Sequence, residues 1–209
     1  MTNTVSLPLR ERKKAETWTA LHDAAASLAL QHGVEQTTVE AIAASAGVSP
    51  RTFFNYFQAK EDAILGLREP VLEAALLSQV ATTADDLVGQ VSRLLIAVAS
   101  TARGGTDPAR RRQLIARYPQ LGRRHMDYMV KAESLVCQGL AGLLAQDPAW
   151  AAGAEGFGAE ESARMLVMIA GVPIRFNLTS ADFDPAEGIS AETLGPSLTL
   201  LHHLLRKIS

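Results

Sequence analysis

The sequence predicts an all-α protein of about nine helices, and three observations carry that prediction. Apolar residues recur three and four apart along most of the chain, the period of a helix with one buried face. Aromatic residues make up only 5% of the chain. Alanine and leucine abound, a balance that suits packed helices better than a sheet. Helix-boundary residues also recur in register: capping Thr, Ser and Asp ahead of apolar runs, Pro at first helical positions, and Gly after the last. The chain has 209 residues, enough for one large or two small domains, and 47% of them are hydrophobic, enough for a sizeable core.

The first helix is expected from about Arg10 to Gln31, with Trp18, Leu21, Ala25, Leu28 and Ala29 on one face, ending at Gly33. Thr37 and Glu40 have capping-box spacing and open a second helix, whose apolar face is Val39, Ile42, Ala43 and Ala46. Gly47 can take the left-handed conformation that ends it. Ser49 and Pro50 are the N-cap and first residue of a third helix. After Lys60 a helix runs through Ile64, Leu65, Leu67, Val71, Leu72, Ala75 and Leu76, with a kink or break at Pro70. Further helices follow over 85–102, closed by Gly104-Gly105, over 108–117, opened by Asp107-Pro108, and over 119–146. After a loop at 153–158 come 159–179, an acidic loop at 180–190, and a last helix over 191–207. There is no internal repeat and no low-complexity linker.

The segment from Thr37 to Lys60 is the most informative in the chain. Two short helices meet at a glycine; in the second, Phe53 and Phe57 face inward while Arg51, Thr52, Asn55 and Tyr56 face outward. A helix-turn-helix presents its second helix to the DNA major groove in this way. Arg51 and Asn55 are the side chains that pair bidentately with guanine and adenine edges, and Thr38, Tyr56 and Lys60 suit phosphate oxygens.

At these residues the chain resembles the TetR family of bacterial transcriptional regulators. The shared pattern runs through Thr38-Val39, Ile42-Ala43, Ala46-Gly47-Val48-Ser49, Thr52-Phe53-Phe54, Tyr56-Phe57 and Lys60-Glu61, within roughly residues 10 to 65. The resemblance implies a three-helix DNA-binding domain at 1–58 and a ligand-binding and dimerisation domain at 59–209. It further implies that Ser49, Pro50, Arg51, Thr52 and Asn55 approach bases, while Thr38, Tyr56 and Lys60 hold phosphates. The family often has tyrosine where this chain has Phe54; without the hydroxyl, Phe54 is left with a thymine methyl or the core. In the family the last two helices form a four-helix bundle with the partner subunit. Here they correspond to 159–179, with Met165, Leu166, Met168, Ile169, Val172 and Ile174, and to 191–207, with Leu194, Leu198, Leu201, Leu204 and Leu205.

The resemblance therefore implies a cytoplasmic homodimer on double-stranded operator DNA, a repressor released by a small-molecule effector. The competing reading is a helical ligand carrier or interaction module that has kept the fold without DNA binding. A cavity between the middle helices is expected to be lined by Tyr118, His125, Met129, Met165, Met168 and Arg175. Such sites combine an adaptable apolar wall with a few polar groups. Arg175 follows Gly171-Val-Pro-Ile in the most apolar stretch, so it is expected to pair with a buried carboxylate such as Glu133 or to meet an anionic ligand.

Charge and composition set further bounds. The net charge is only −2, but Arg10, Arg12, Lys13 and Lys14 gather at the first helix and can neutralise backbone phosphates. A second basic stretch holds Arg110, Arg111, Arg112, Arg117, Arg123, Arg124 and Lys131; residues 132–205 hold nine carboxylates against Arg164 and Arg175. Pairing between the two is the expectation, an anionic ligand the alternative. The longest apolar run, 165–174, is too short for a membrane span, and the N-terminus lacks the apolar core of a signal peptide. Cys137 is a lone cysteine and is expected to be a buried structural thiol. No Gly-rich phosphate loop, metal-spaced His/Cys cluster or nucleophile elbow is present. His202 and His203 point about 100° apart on a helix, and His125 and Asp127 do not share a face. No enzyme and no cofactor is expected.

Overall fold

The computed structural model describes residues 8–104, 107–151, 156–181 and 189–208. The described residues form eleven α-helices and no strand. The all-α expectation holds, and the count exceeds nine because one predicted helix is broken in two and a further short helix follows residue 147. The chain divides into two compact units, 1–68 with 104–125, and 69–103 with 126–209. The expected boundary after residue 58 thus falls inside the first unit, which also takes in a later stretch of chain.

The first unit is built on α1 (Leu9–His32), against which α2 (Val39–Ser45), α4 (Lys60–Leu65) and α7 (Pro108–Arg117) pack, while α3 (Pro50–Phe53) packs on α2. Its centre is aromatic. Trp18 is stacked on His22 and tilted against Phe57, and the Arg68 guanidinium lies 3.9 Å over its ring. Gly104 closes the cluster; any side chain there would overlap the Trp18 indole.

The second basic stretch explains why 104–125 belongs here. A helix leaves its last carbonyls without intrahelical donors. At the end of α1, Tyr118 Oη–H donates to the Ala29 carbonyl (3.3 Å) and Arg117 to that of Leu30 (3.2 Å). At the end of α4, buried Arg111 donates to the Leu65 carbonyl (2.9 Å). Arg110 pairs with Asp23 at 2.6 Å, and Arg124, at the start of α8 (Pro119–Gln146), grips buried Asp62 through both oxygens at 2.7 and 2.8 Å. Within the second unit, Lys131 pairs with Glu69. The expected pairing with the acidic residues of 132–205 is therefore corrected for these side chains. Their partners are helix ends and acids from the first 69 residues.

His22 is buried at the junction of three of these helices. Arg110 Nη2–H donates to its Nε2 (3.0 Å), which fixes Nδ1–H as the donor to the Ala63 carbonyl (2.7 Å) and leaves the ring neutral. Burial holds its pKa below the ordinary value of 6.5; the Ala63 carbonyl opposes that, Arg110 supports it, Asp23 opposes it, and Arg111 adds to it. Well above pH 6.5 the ring is neutral folded or unfolded, so it contributes no pH dependence there. Below that value the unfolded chain binds a proton that the folded chain resists, so stability falls with pH until the depressed folded pKa is passed. We expect a lower denaturation midpoint at about pH 5.5 than at about pH 7.5. An NMR titration of the His22 ring should give a midpoint below 6.5; one at or above 6.5 would refute the assignment.

The second unit packs α6 (Leu87–Thr101), α8 beyond residue 125 and α10 (Ala159–Leu178) around Val91, Leu94, Leu95, Val98, Val136, Leu140, Leu144, Val167 and Ala170. Buried Ser92 of α6 donates to the Ala170 carbonyl at 2.9 Å. The last helix, α11 (Ala191–Ile208), lies on α10, where Asn177 Nδ2–H donates to Ser197 Oγ at 2.6 Å.

Two local expectations are corrected. Thr38, not Thr37, caps α2: its hydroxyl accepts from Ala41 N–H (3.2 Å), while Thr37 is buried and donates to the Gly33 carbonyl (2.8 Å). The helix expected to run from 60 through 76 stops at Gly66 in the left-handed conformation (φ 62°) and resumes only as α5 (Ala74–Leu77). Gly66, with Pro70 behind it, outweighs the apolar periodicity. A short α9 (Pro148–Ala151) follows α8. The expected features at Gly105, at 152–155, at 182–188 and in the first seven residues lie outside the described residues.

Candidate nucleic-acid interface

The reading turn is assembled by three local devices. Gly47 sits at φ 69°, where a Cβ would be strained although nothing crowds the space. Ser49 Oγ accepts from Thr52 N–H at 3.1 Å and contacts Thr52 Oγ1 at 2.9 Å, capping α3 with Pro50 at its first position. Phe53 and Phe57 are buried, 5.7 Å apart, and anchor the turn in the core. The remainder of the turn faces outward: Arg51 and Asn55 are exposed, Thr52 and Tyr56 half-buried.

Beside it the start of α1 contributes cations. Arg10, Lys13, Lys14 and Thr17 share an open groove of about 880 Å³ with Thr52, Asn55 and Tyr56, and among the described residues Glu11 alone opposes them. Cationic and hydroxyl side chains facing one another across an open groove suit a phosphate backbone. Lysines 13 and 14 were legible as a basic arm, but their meeting with the reading turn was not.

Two phosphate candidates are tied into the fold. The Lys60 ammonium donates to the Val34 carbonyl at 2.8 Å, holding the turn after α1, and keeps further N–H donors. Thr38 accepts a capping bond and keeps its own O–H for an outside acceptor.

The six expected ligand residues fare differently. Tyr118 and His125 belong to the first unit, the other four to the second. Tyr118 is committed to the Ala29 carbonyl, with Arg117 5.3 Å over its ring. Met165 and Met168 are 58% and 60% exposed, and Arg175 is exposed as well, which corrects its expected burial. Met129 is half-buried. None of the six lines the open groove of about 550 Å³ bounded by Cys137, Ala141, Ala145, Ala159 and Arg164.

Exposed apolar side chains instead lie in two rows. Met165, Met168, Val172 and Phe176 follow one another up α10, and Leu200, Leu204 and Ile208 do so up α11. Both rows have helical spacing and lie on adjacent helices. Leu194 and Leu198, expected among the partner-facing residues, are buried within the unit.

An N-capped turn on an aromatic anchor, with a basic groove at its side, has the geometry of a DNA-binding helix-turn-helix. Residues 21–65 match the family described as bacterial regulatory proteins, tetR family. The match takes in the turn and the helices that hold it, and covers less than half of the chain. It is 37% identical over 98 residues to the HTH-type transcriptional regulator TcmR of Streptomyces glaucescens, a match that spans 46% of this chain and 43% of that relative. Among solved structures it is similar to NalD, the secondary repressor of the MexAB-OprM multidrug efflux pump in Pseudomonas aeruginosa. There the identity is 20%, the coverage 90% of this chain and 96% of that one, and the TM-score 0.46. Thermus thermophilus FadR, a repressor solved with lauroyl-CoA, is 22% identical with a TM-score of 0.33, covering 88% of this chain and 92% of that one.

Proposed function

We propose that this chain is a transcriptional repressor that binds operator DNA as a homodimer and is released by a small molecule. One observation carries the reading: Arg51 and Asn55 stand exposed on a turn whose other side is fixed in the core by Phe53 and Phe57. Arg51 and Asn55 read base edges, with Ser49, Pro50 and Thr52 close by. Thr38, Tyr56, Lys60, Lys13 and Lys14 hold phosphates. The exposed rows on α10 and α11 meet the same rows of a second copy, giving the self-complementary contact of a two-fold dimer. Two reading turns then face half-sites about 34–36 Å apart or a multiple of it. Release by an effector requires that the effector bind the form that DNA disfavours. That element of the proposal rests on the family match of residues 21–65, and small molecules carried through purification, identified by mass spectrometry, are its test.

The DNA reading is tested by a gel shift with DNA from upstream of the protein's own coding region. A discrete complex resisting excess random DNA is expected. Binding no tighter than to random DNA would favour the carrier reading. Once an operator is in hand, Arg51→Ala should cost about 1–3 kcal/mol and relax preference at one position per half-site. Lys14→Ala should weaken all sequences alike and lower the salt slope by about 0.9. Equal behaviour of both variants and the parent in footprints and salt titrations would refute the assignment.

A further inference from the structure

We propose that Phe54 reads thymine, its ring meeting the 5-methyl group of one thymine in each half-site. The inference rests on the DNA-binding reading above and adds a base preference to it. Phe54 is 59% exposed, while its neighbours Phe53 and Phe57 are buried at 0% and 3% and complete the aromatic core without it. Its backbone (φ −68°, ψ −10°) continues the helical path of α3, so Arg51, Phe54 and Asn55, at i, i+3 and i+4, share one outward face. The ring stands edge-on against Phe53, centroids 5.4 Å apart and planes at 88°, a favoured aromatic geometry. An apolar ring is thus held in solvent between an arginine and an asparagine. Having neither donor nor acceptor, it can read only an apolar feature. In the major groove that feature is the thymine C5-methyl group, which no other base presents.

The test starts from duplexes selected out of a random-sequence pool by the full-length protein. Each thymine of the selected site is then replaced by deoxyuridine, which removes the methyl group and keeps the hydrogen-bonding edge. One position per half-site should weaken the parent roughly fourfold, and about fifteenfold when changed in both half-sites. F54A should bind the thymine and uridine duplexes equally, and F54Y, which keeps the ring, should retain the parent's ratio. Equal binding of thymine and uridine duplexes by the parent at every position would overturn the inference. So would an undiminished ratio in F54A, or an F54A chain that no longer folds, since an exposed ring carries no core packing. Failure to enrich any sequence from the pool would instead remove the DNA-binding reading beneath it.

Discussion

Replacing Phe176 and Leu204 together by aspartate should convert the protein from dimer to folded monomer and weaken operator binding by about 10²–10⁴-fold. That is the range lost when two linked binding events become one. Both side chains are largely exposed in the single chain, 55% and 48%, so the change removes little internal packing. Circular dichroism should match the parent while light scattering reports half the mass. Aspartate at Leu198, by contrast, should unfold the chain, because Leu198 is only 6% exposed on the inner side of α11. A parent protein that is itself a folded monomer, or a double variant that stays dimeric, would contradict the proposed interface.

Arg124→Met should lower stability by about 3 kcal/mol, the lower end of the loss on removing one partner of a buried ion pair. The lower end applies because Arg124 is itself 30% exposed while Asp62 is 1% exposed. The Asp62 carboxylate also accepts from Ala59 N–H (3.1 Å) at the start of α4, so it has a second role in fixing the end of the reading turn. Adding Asp62→Asn to Arg124→Met should restore part of the loss, since the stranded charge is then gone. Urea denaturation measures both. An unchanged midpoint in Arg124→Met would show that the bidentate contact contributes nothing net.

The reading turn was legible in the sequence because its determinants are local. Ser49, Pro50 and Gly47 act within four residues of themselves, and Phe57, past the end of α3, is tied to Phe53 four residues back by its own N–H donating to the Phe53 carbonyl (3.1 Å). The same locality explains why most helices were found within a residue or two of their ends. Where local signals competed, the sequence was ambiguous. Thr37 and Thr38 both suit an N-cap, and only the Gly33 carbonyl below Thr37 decides between them. Apolar periodicity ran past Gly66, and the left-handed turn there stopped it.

By itself, the sequence determined that this is an all-α chain with a helix-turn-helix whose polar residues face out, and so the family that this segment resembles. Only the tertiary structure decided what the arginines of 110–124 do, because their partners Asp23, Leu30, Asp62 and Leu65 lie 46 to 87 residues away along the chain. The tertiary structure likewise separated Met165 and Met168 from the core and left Leu194 and Leu198 within it. A helical stripe reports that one face is apolar, but which neighbour covers it depends on packing between α10 and α11.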